Sequence, residues 1–149
     1  MEEKKDKEER IPNEIYFTST YEEFMEICEK LKEVKDCELT KEKLFNYMYA
    51  GLQTRRTFSF ASYDGEMNGC LVLTVGKNLI DDLAIYVIFI WIDRHSSELW
   101  KKYLEFVENV AKEFKAKKII GSTKRDGFGK KLEKFGYKET YRIIEKEVI

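Results

Sequence analysis

The segment Trp91-Ile92-Asp93-Arg94-His95-Ser96-Ser97-Glu98-Leu99-Trp100 gathers many of the chain's chemically able side chains. Asp93 closes an apolar run, where a carboxylate could receive a proton; equally, it could cap the following loop or pair with Arg94. His95 is the single histidine. Just ahead of a helix, its imidazole could act as a general base, contact a phosphate, or stand as an exposed loop residue. Ser96 or Ser97 suits the N-cap of that helix. Trp91 and Trp100 flank the loop, where aromatic rings could line a pocket for an acyl group or a partner, or pack into the core.

Other candidates are plainer. Cys28, Cys37 and Cys70 are odd in number and match no metal-ligand spacing, so no metal site is expected; Cys28 in a helical pattern and Cys70 in an apolar run read as reduced, packed thiols. Lys115, Lys117, Lys118, Lys124, Arg125, Lys130, Lys131 and Lys134 could form a local patch for an anionic ligand, or a solvated face. Asp126-Gly127-Phe128-Gly129 precedes a helix but lacks the lysine-hydroxyl pair of a phosphate loop.

These residues must be placed by the elements around them. Ile15–Thr18 reads as a short strand. Ser19 or Thr20 caps a helix whose stripe is Phe24, Ile27, Leu31 and Val34. Thr40 opens a second helix with Leu44, Tyr47, Met48 and Leu52 on its inner face. Thr57–Tyr63 alternates as a strand, Asn68-Gly69 signals a turn into a strand over Cys70–Val75, and Leu83–Ile92 is an apolar run suited to mid-sheet. A long helix follows over Glu98–Lys115, with Leu99, Tyr103, Phe106, Val107, Val110 and Phe114 inward. A strand over Lys118–Thr123, a short helix over Asp126–Lys134 ending before Gly136, and a terminal strand or hairpin over Tyr137–Val148 complete the order. Residues 1–12 form a charged tail expected to be disordered, with nine charged side chains among the first ten residues. Residues 13–149 form one domain.

Composition narrows the function classes. The 27 basic and 28 acidic residues nearly cancel, so no global field attracts nucleic acid or an anionic membrane. The run Leu83–Ile92 is about half the length of a membrane-spanning helix. Reduced thiols and the lack of a secretory leader suggest a cytoplasmic protein. Lys and Glu enrichment, with Gln53 the only glutamine, matches a thermophile signal, and a melting temperature below about 60 °C would count against it.

The order β-α-α-β-β-β-α-β-α-β resembles the GNAT (GCN5-related N-acetyltransferase) family from about Asn13 to Ile149. Leu83–Asp93 looks like the family's central fourth strand, Ser97–Lys115 like the helix after it, and Ala116-Lys117-Lys118-Ile119-Ile120 like the entry to the fifth strand. Lys131-Leu132-Glu133-Lys134-Phe135-Gly136-Tyr137 is similar to a recurrent segment near the family's C-terminus. The resemblance implies an α/β (α+β) fold with a mixed, mostly antiparallel sheet flanked by helices. It also implies acetyl-CoA between two splayed parallel strands, its pyrophosphate on the donors of a helix N-terminus. On this chain the cofactor residues would be Trp91, Ile92, Arg94, Ser96 and Ser97, and the proton acceptor Asp93 or His95. A strand-four N–H near Trp91 would polarise the thioester carbonyl. The acceptor would be a small-molecule or protein amine.

Two departures stand out. The family's phosphate loop is glycine-rich, whereas Arg94–Trp100 contains no glycine and adds Glu98. Leu132 occupies the position of a tyrosine that protonates the leaving thiolate in many members. They support an alternative: a catalytically inactive protein of this fold, structural or binding a protein partner or a second copy of itself. Thr123-Lys124-Arg125 before the short helix resembles degenerate members associated with phage genomes.

Overall fold

In a computed structural model of the chain, residues 10–34, 37–78, 80–121, 132–138 and 144–148 are described. Strand β1 is Tyr16–Thr18, and Thr20 then caps helix α1, Tyr21–Glu29. Thr20 Oγ1 accepts the Glu23 N–H at 3.3 Å while Glu23 Oε1 accepts the Thr20 N–H at 3.0 Å, so two donors left open by the helix start are satisfied. Beyond Glu29 the helix expected through Val34 tightens into a 3-10 turn, Lys30–Glu33.

Helix α2, Lys41–Thr54, starts at Thr40 and ends where Arg55 takes the left-handed conformation, φ 56°. Leu44, Met48 and Gly51 are buried. Tyr47, expected on the inner face, is 48% exposed. Gly51 explains why: a Cβ there would lie 2.6 Å from the Thr57 carbonyl oxygen and would also strike Thr57 Cβ. The helix backbone thus rests directly on the sheet, and the stripe in contact with it is narrow.

Strands β2 (Thr57–Asp64), β3 (Glu66–Lys77) and β4 (Leu83–Ile92) form an antiparallel meander. The chain reverses at Gly65, whose φ of 76° suits a residue without Cβ. Asn68-Gly69, read as a turn, lies instead inside β3. Ser62 pairs with Gly69 and Tyr63 with Met67, leaving Asn68 as the extra residue of a bulge. Helix α3, Ser97–Glu113, leads to β5, Lys118–Gly121, parallel to β4. The sheet order is β1-β2-β3-β4-β5.

Each face of the sheet has its own core. Phe24, Ile27, Leu44 and Met48 of α1 and α2 pack on Tyr63, Cys70, Val72 and Phe89. Leu99, Tyr103 and Val107 of α3 pack on Leu71, Leu73, Ile85 and Ile92. This is the expected α+β architecture. Residues 122–131, including most of the expected short helix, lie outside the described residues, as do residues 1–9 of the charged tail. Leu132 and Glu133 are helical and Gly136 follows with φ 88°. Of the expected terminal strand, the described residues 137–138 and 144–148 have no strand pairing, and the rest lies outside. Arg10, assigned to the tail, is held: its guanidinium stacks 3.9 Å over the Tyr63 ring and pairs with Glu23 at 3.5 Å.

Candidate functional site

The candidate site lies at the C-terminal end of β4. Among the described residues, the parallel pairing extends only from Ala84↔Lys118 to Val87↔Gly121, whereas β4 continues to Ile92. The polar groups this leaves on the β5 side follow from two hydrogen bonds and a bulge. Leu83 O accepts the Lys117 N–H at 2.9 Å, so Leu83 faces β5; the Asp93 N–H donates to Asn68 O at 2.8 Å, so Asp93 faces β3. Leu83 and Asp93 stand an even number of positions apart, and an unbroken strand would point both to the same side. The register slip that pairs Val72 with Phe89 but Leu73 with Val87 makes the switch, with Ile88 as the extra residue. Side chains record the same slip. Ile88 and Phe89, consecutive in sequence, both pack on the α1/α2 side, while Val87 and Ile90 pack on the α3 side. Counting back from Asp93, the N–H groups of Ile92 and Ile90 point to the β5 side of the strand.

The loop from β4 to α3 is short and internally bonded. Asp93 Oδ1 accepts the His95 N–H at 3.0 Å and Asp93 O accepts the Ser96 N–H at 2.9 Å. Of the roles open to Asp93 in the sequence, the loop cap is therefore filled by one oxygen. Oδ2 has no hydrogen-bond partner among the described residues. Ser96 is the N-cap of α3 by position, with non-helical φ −115° and ψ 59°, yet its side chain accepts no helix N–H. The first turn of α3 thus keeps open donors beside an uncommitted hydroxyl. Ser97 begins the helix. Arg94 and His95 are exposed next to this end, and so is Glu98.

The remaining candidates are scattered. Trp91 projects to the α1/α2 side, where the Lys30 ammonium lies 4.7 Å from its ring centre. Trp100 packs on the α3 side. The two tryptophans therefore line no common pocket. Cys28 and Cys70 are buried and Cys37 exposed, all three free; burial pushes the Cys70 thiol far above its ordinary range, the Lys30 charge opposing weakly. Among the described residues no cluster of His, Cys, Asp or Glu could hold a metal ion. None of the helices described is long and apolar enough to cross a membrane. Of the basic cluster, Lys117 pairs with Asp82 at 3.4 Å, and Lys124, Arg125, Lys130 and Lys131 lie outside the described residues with Asp126–Gly129. Leu132 is half-buried. Burial first, and Glu108 second, raise the Tyr137 phenol pKa.

Sequence reasoning expected a polarising donor near Trp91; the Trp91 N–H itself faces β3, and the N–H groups on the β5 side are those of its neighbours Ile90 and Ile92. It also missed Asn68, whose carbonyl holds the start of the loop. The only signal was an Asn-Gly pair inside an otherwise strand-like stretch, which reads as a turn until the pairing is known.

No family model and no curated protein matches the chain. Solved structures do. An aminoglycoside antibiotic 6'-N-acetyltransferase from Acinetobacter haemolyticus superposes with a TM-score of 0.73 at 12% identity, over 91% of this chain and 98% of that one. Glucosamine-6-phosphate N-acetyltransferase from Arabidopsis thaliana gives 0.69 at 14%, over 90% and 97%. AAC(6')-Iy, solved in complex with the bisubstrate analog CoA-S-monomethyl-acetylneamine, gives 0.69 at 14%, over 91% and 97%. The fold of this chain is the one these acetyltransferases have.

Proposed function

We propose that the GNAT fold of this chain serves the transfer of an acetyl group from acetyl-CoA to an amine. The observation that carries the proposal is the β5-side edge of β4: the N–H groups of Ile90 and Ile92 face it beyond the last described pairing, Val87↔Gly121, with the N-terminus of α3 at the end of the same strand. AAC(6')-Iy, similar over nearly its whole length, was solved with a CoA-linked analog. Acetyl-CoA supplies an activated thioester. The chain's residues would do the rest.

Open N–H groups of the first turn of α3, the Ser96 and Ser97 hydroxyls and the Arg94 guanidinium would hold the pyrophosphate. The N–H of Ile90 or Ile92 would bond the thioester oxygen and stabilise the charge it gains in the transition state. Acetyl-CoA, when bound, would supply the acyl group for attack by an amine, with the CoA thiolate as the leaving group. The proton shed by the amine would pass to Asp93 Oδ2 or His95, through water where the reach requires it. The thiolate would take its proton from solvent, since Leu132 has none to give. The neighbours named for their acceptors act on an aminoglycoside and an amino sugar phosphate, both amines, and a small amine is the corresponding proposal here.

A second reading, a non-catalytic protein of this fold that binds a protein partner, is favoured by one observation. The exposed carboxylate of Glu98 sits in the first turn of α3, where a pyrophosphate would have to lie. One titration separates the two. Calorimetry with CoA should give a dissociation constant near the micromolar range, about −8 kcal/mol. Glu98→Gln should tighten binding and Arg94→Ala weaken it, each by roughly tenfold or less. No heat and no thermal shift at millimolar CoA would overturn the transferase reading and leave the second one.

A further inference from the structure

We propose that Asn68 is a positioning residue for the loop between β4 and α3, held in place by a buried hydrogen-bond relay that begins on α3 itself. The Tyr103 hydroxyl of α3 donates to Ser62 Oγ at 2.8 Å. Ser62 Oγ donates to Asn68 Oδ1 at 2.7 Å, and Asn68 Nδ2 donates to Asn13 Oδ1 at 2.6 Å. The Asn68 backbone carbonyl accepts the Asp93 N–H. Tyr103 and Ser62 are fully buried and Asn68 nearly so.

The relay therefore holds the loop from both sides. Asn68 anchors Asp93, where the loop begins. Tyr103, about two helical turns beyond Ser96, anchors the helix into which the loop feeds. Ser62 sits in the middle of the relay, so its loss removes both the bond from the Tyr103 hydroxyl and the bond to Asn68 Oδ1. Two local features make room for it. The β3 bulge lets Asn68 stand out of the ladder, and Gly69 admits the Tyr103 ring: a Cβ there would lie 2.8 Å from Tyr103 Cε2 and 2.9 Å from its oxygen. A loop without glycine has little conformational freedom of its own, and this relay fixes which conformation it takes. The consequence for ligand binding rests on the transferase reading; the consequence for the loop does not.

The test compares wild type, Ser62→Ala, Tyr103→Phe and, as a control in the other core, Leu44→Ala. Amide hydrogen exchange is followed at Asp93, His95 and Ser96 and, for reference, at Phe24 and Arg55 in the α1/α2 layer; CoA affinity is measured in parallel. In Ser62→Ala, exchange at the three loop amides should rise about tenfold relative to the reference amides, the size of one lost hydrogen bond, with CoA affinity falling in step. Leu44→Ala should speed the reference amides and leave the loop unchanged. Should Ser62→Ala fail to fold, Tyr103→Phe, which keeps the Ser62–Asn68 bond, takes its place with the same expected pattern at smaller amplitude. Loop amides unchanged in the folded relay variants, or all amides raised equally, would overturn the proposal. A wild-type chain that binds no CoA removes the transferase reading instead, and the exchange pattern then decides the relay alone.

Discussion

Tyr63, Tyr103 and Cys70 are three weak acids kept neutral by burial. Burial pushes the Tyr63 phenol up to about 12, with Glu26 adding and Arg10 opposing; it moves Tyr103 and Cys70 further in the same direction. A group whose folded pKa is raised contributes stability that is complete below its unfolded value and is lost as pH climbs through the folded one. For Tyr63 that window runs from 10.0 to about 12. The melting temperature should therefore be flat from neutral pH to about 9 and fall steeply beyond it, each such group contributing about 1.4 kcal/mol per pH unit. Tyr63→Phe should make the alkaline fall shallower; an unchanged slope in a thermal-melt series would show that the phenol ionises equally in both states.

The helix starts differ in how they are capped, and stability should follow. Thr20 takes part in reciprocal bonds with Glu23, whereas the Ser96 side chain caps nothing. Thr20→Ala should cost about 1 kcal/mol, and Ser96→Ala only a few tenths. Denaturant midpoints of the two variants provide the comparison, and equal losses would contradict the geometry. A larger effect is expected where α2 meets the sheet. Gly51→Ala places a methyl against the Thr57 backbone, which cannot swing away as a side chain would, and should cost at least 1–3 kcal/mol, roughly the range for overpacking. The caps were legible as hydroxyl residues ahead of apolar stripes, Ser19 or Thr20 before the first helix and Thr40 before the second. The Gly51 contact was not, because it joins a helix end to a strand that local sequence does not bring together.

At the scale of the molecule, one sheet is covered on both faces, so neither core can open without stripping the other side of the same strands. A single denaturation transition, coincident by tryptophan fluorescence and circular dichroism, is expected. Trp91 and Trp100 report on opposite faces, so separate transitions would show that the two layers unfold independently. The exposed ion pairs should matter little to this stability. Lys41–Glu29, Lys77–Asp81 and Lys102–Glu14 are all solvent-exposed, and such pairs are worth about 0–1 kcal/mol and are screened by salt.

By itself the sequence determined the elements from β1 to β5 and their order, because these follow from near-neighbour physics: apolar spacing of three and four for helices, alternation for strands, hydroxyls ahead of helices. It also marked Asp93–Ser97 as the chemically dense segment. Only the tertiary structure decided which groups meet there. The Ile88 bulge, invisible in an unbroken apolar run, sets whether Trp91 or its neighbours point their N–H to the β5 side. Asn68-Gly69 has the composition of a turn, and only pairing with Ser62 and Tyr63 makes it a bulge. Asp93 had three open roles, and contact with the His95 N–H filled one of them. In each case the deciding partner is a hydrogen bond across strands or into a loop, whose geometry a one-dimensional pattern does not carry.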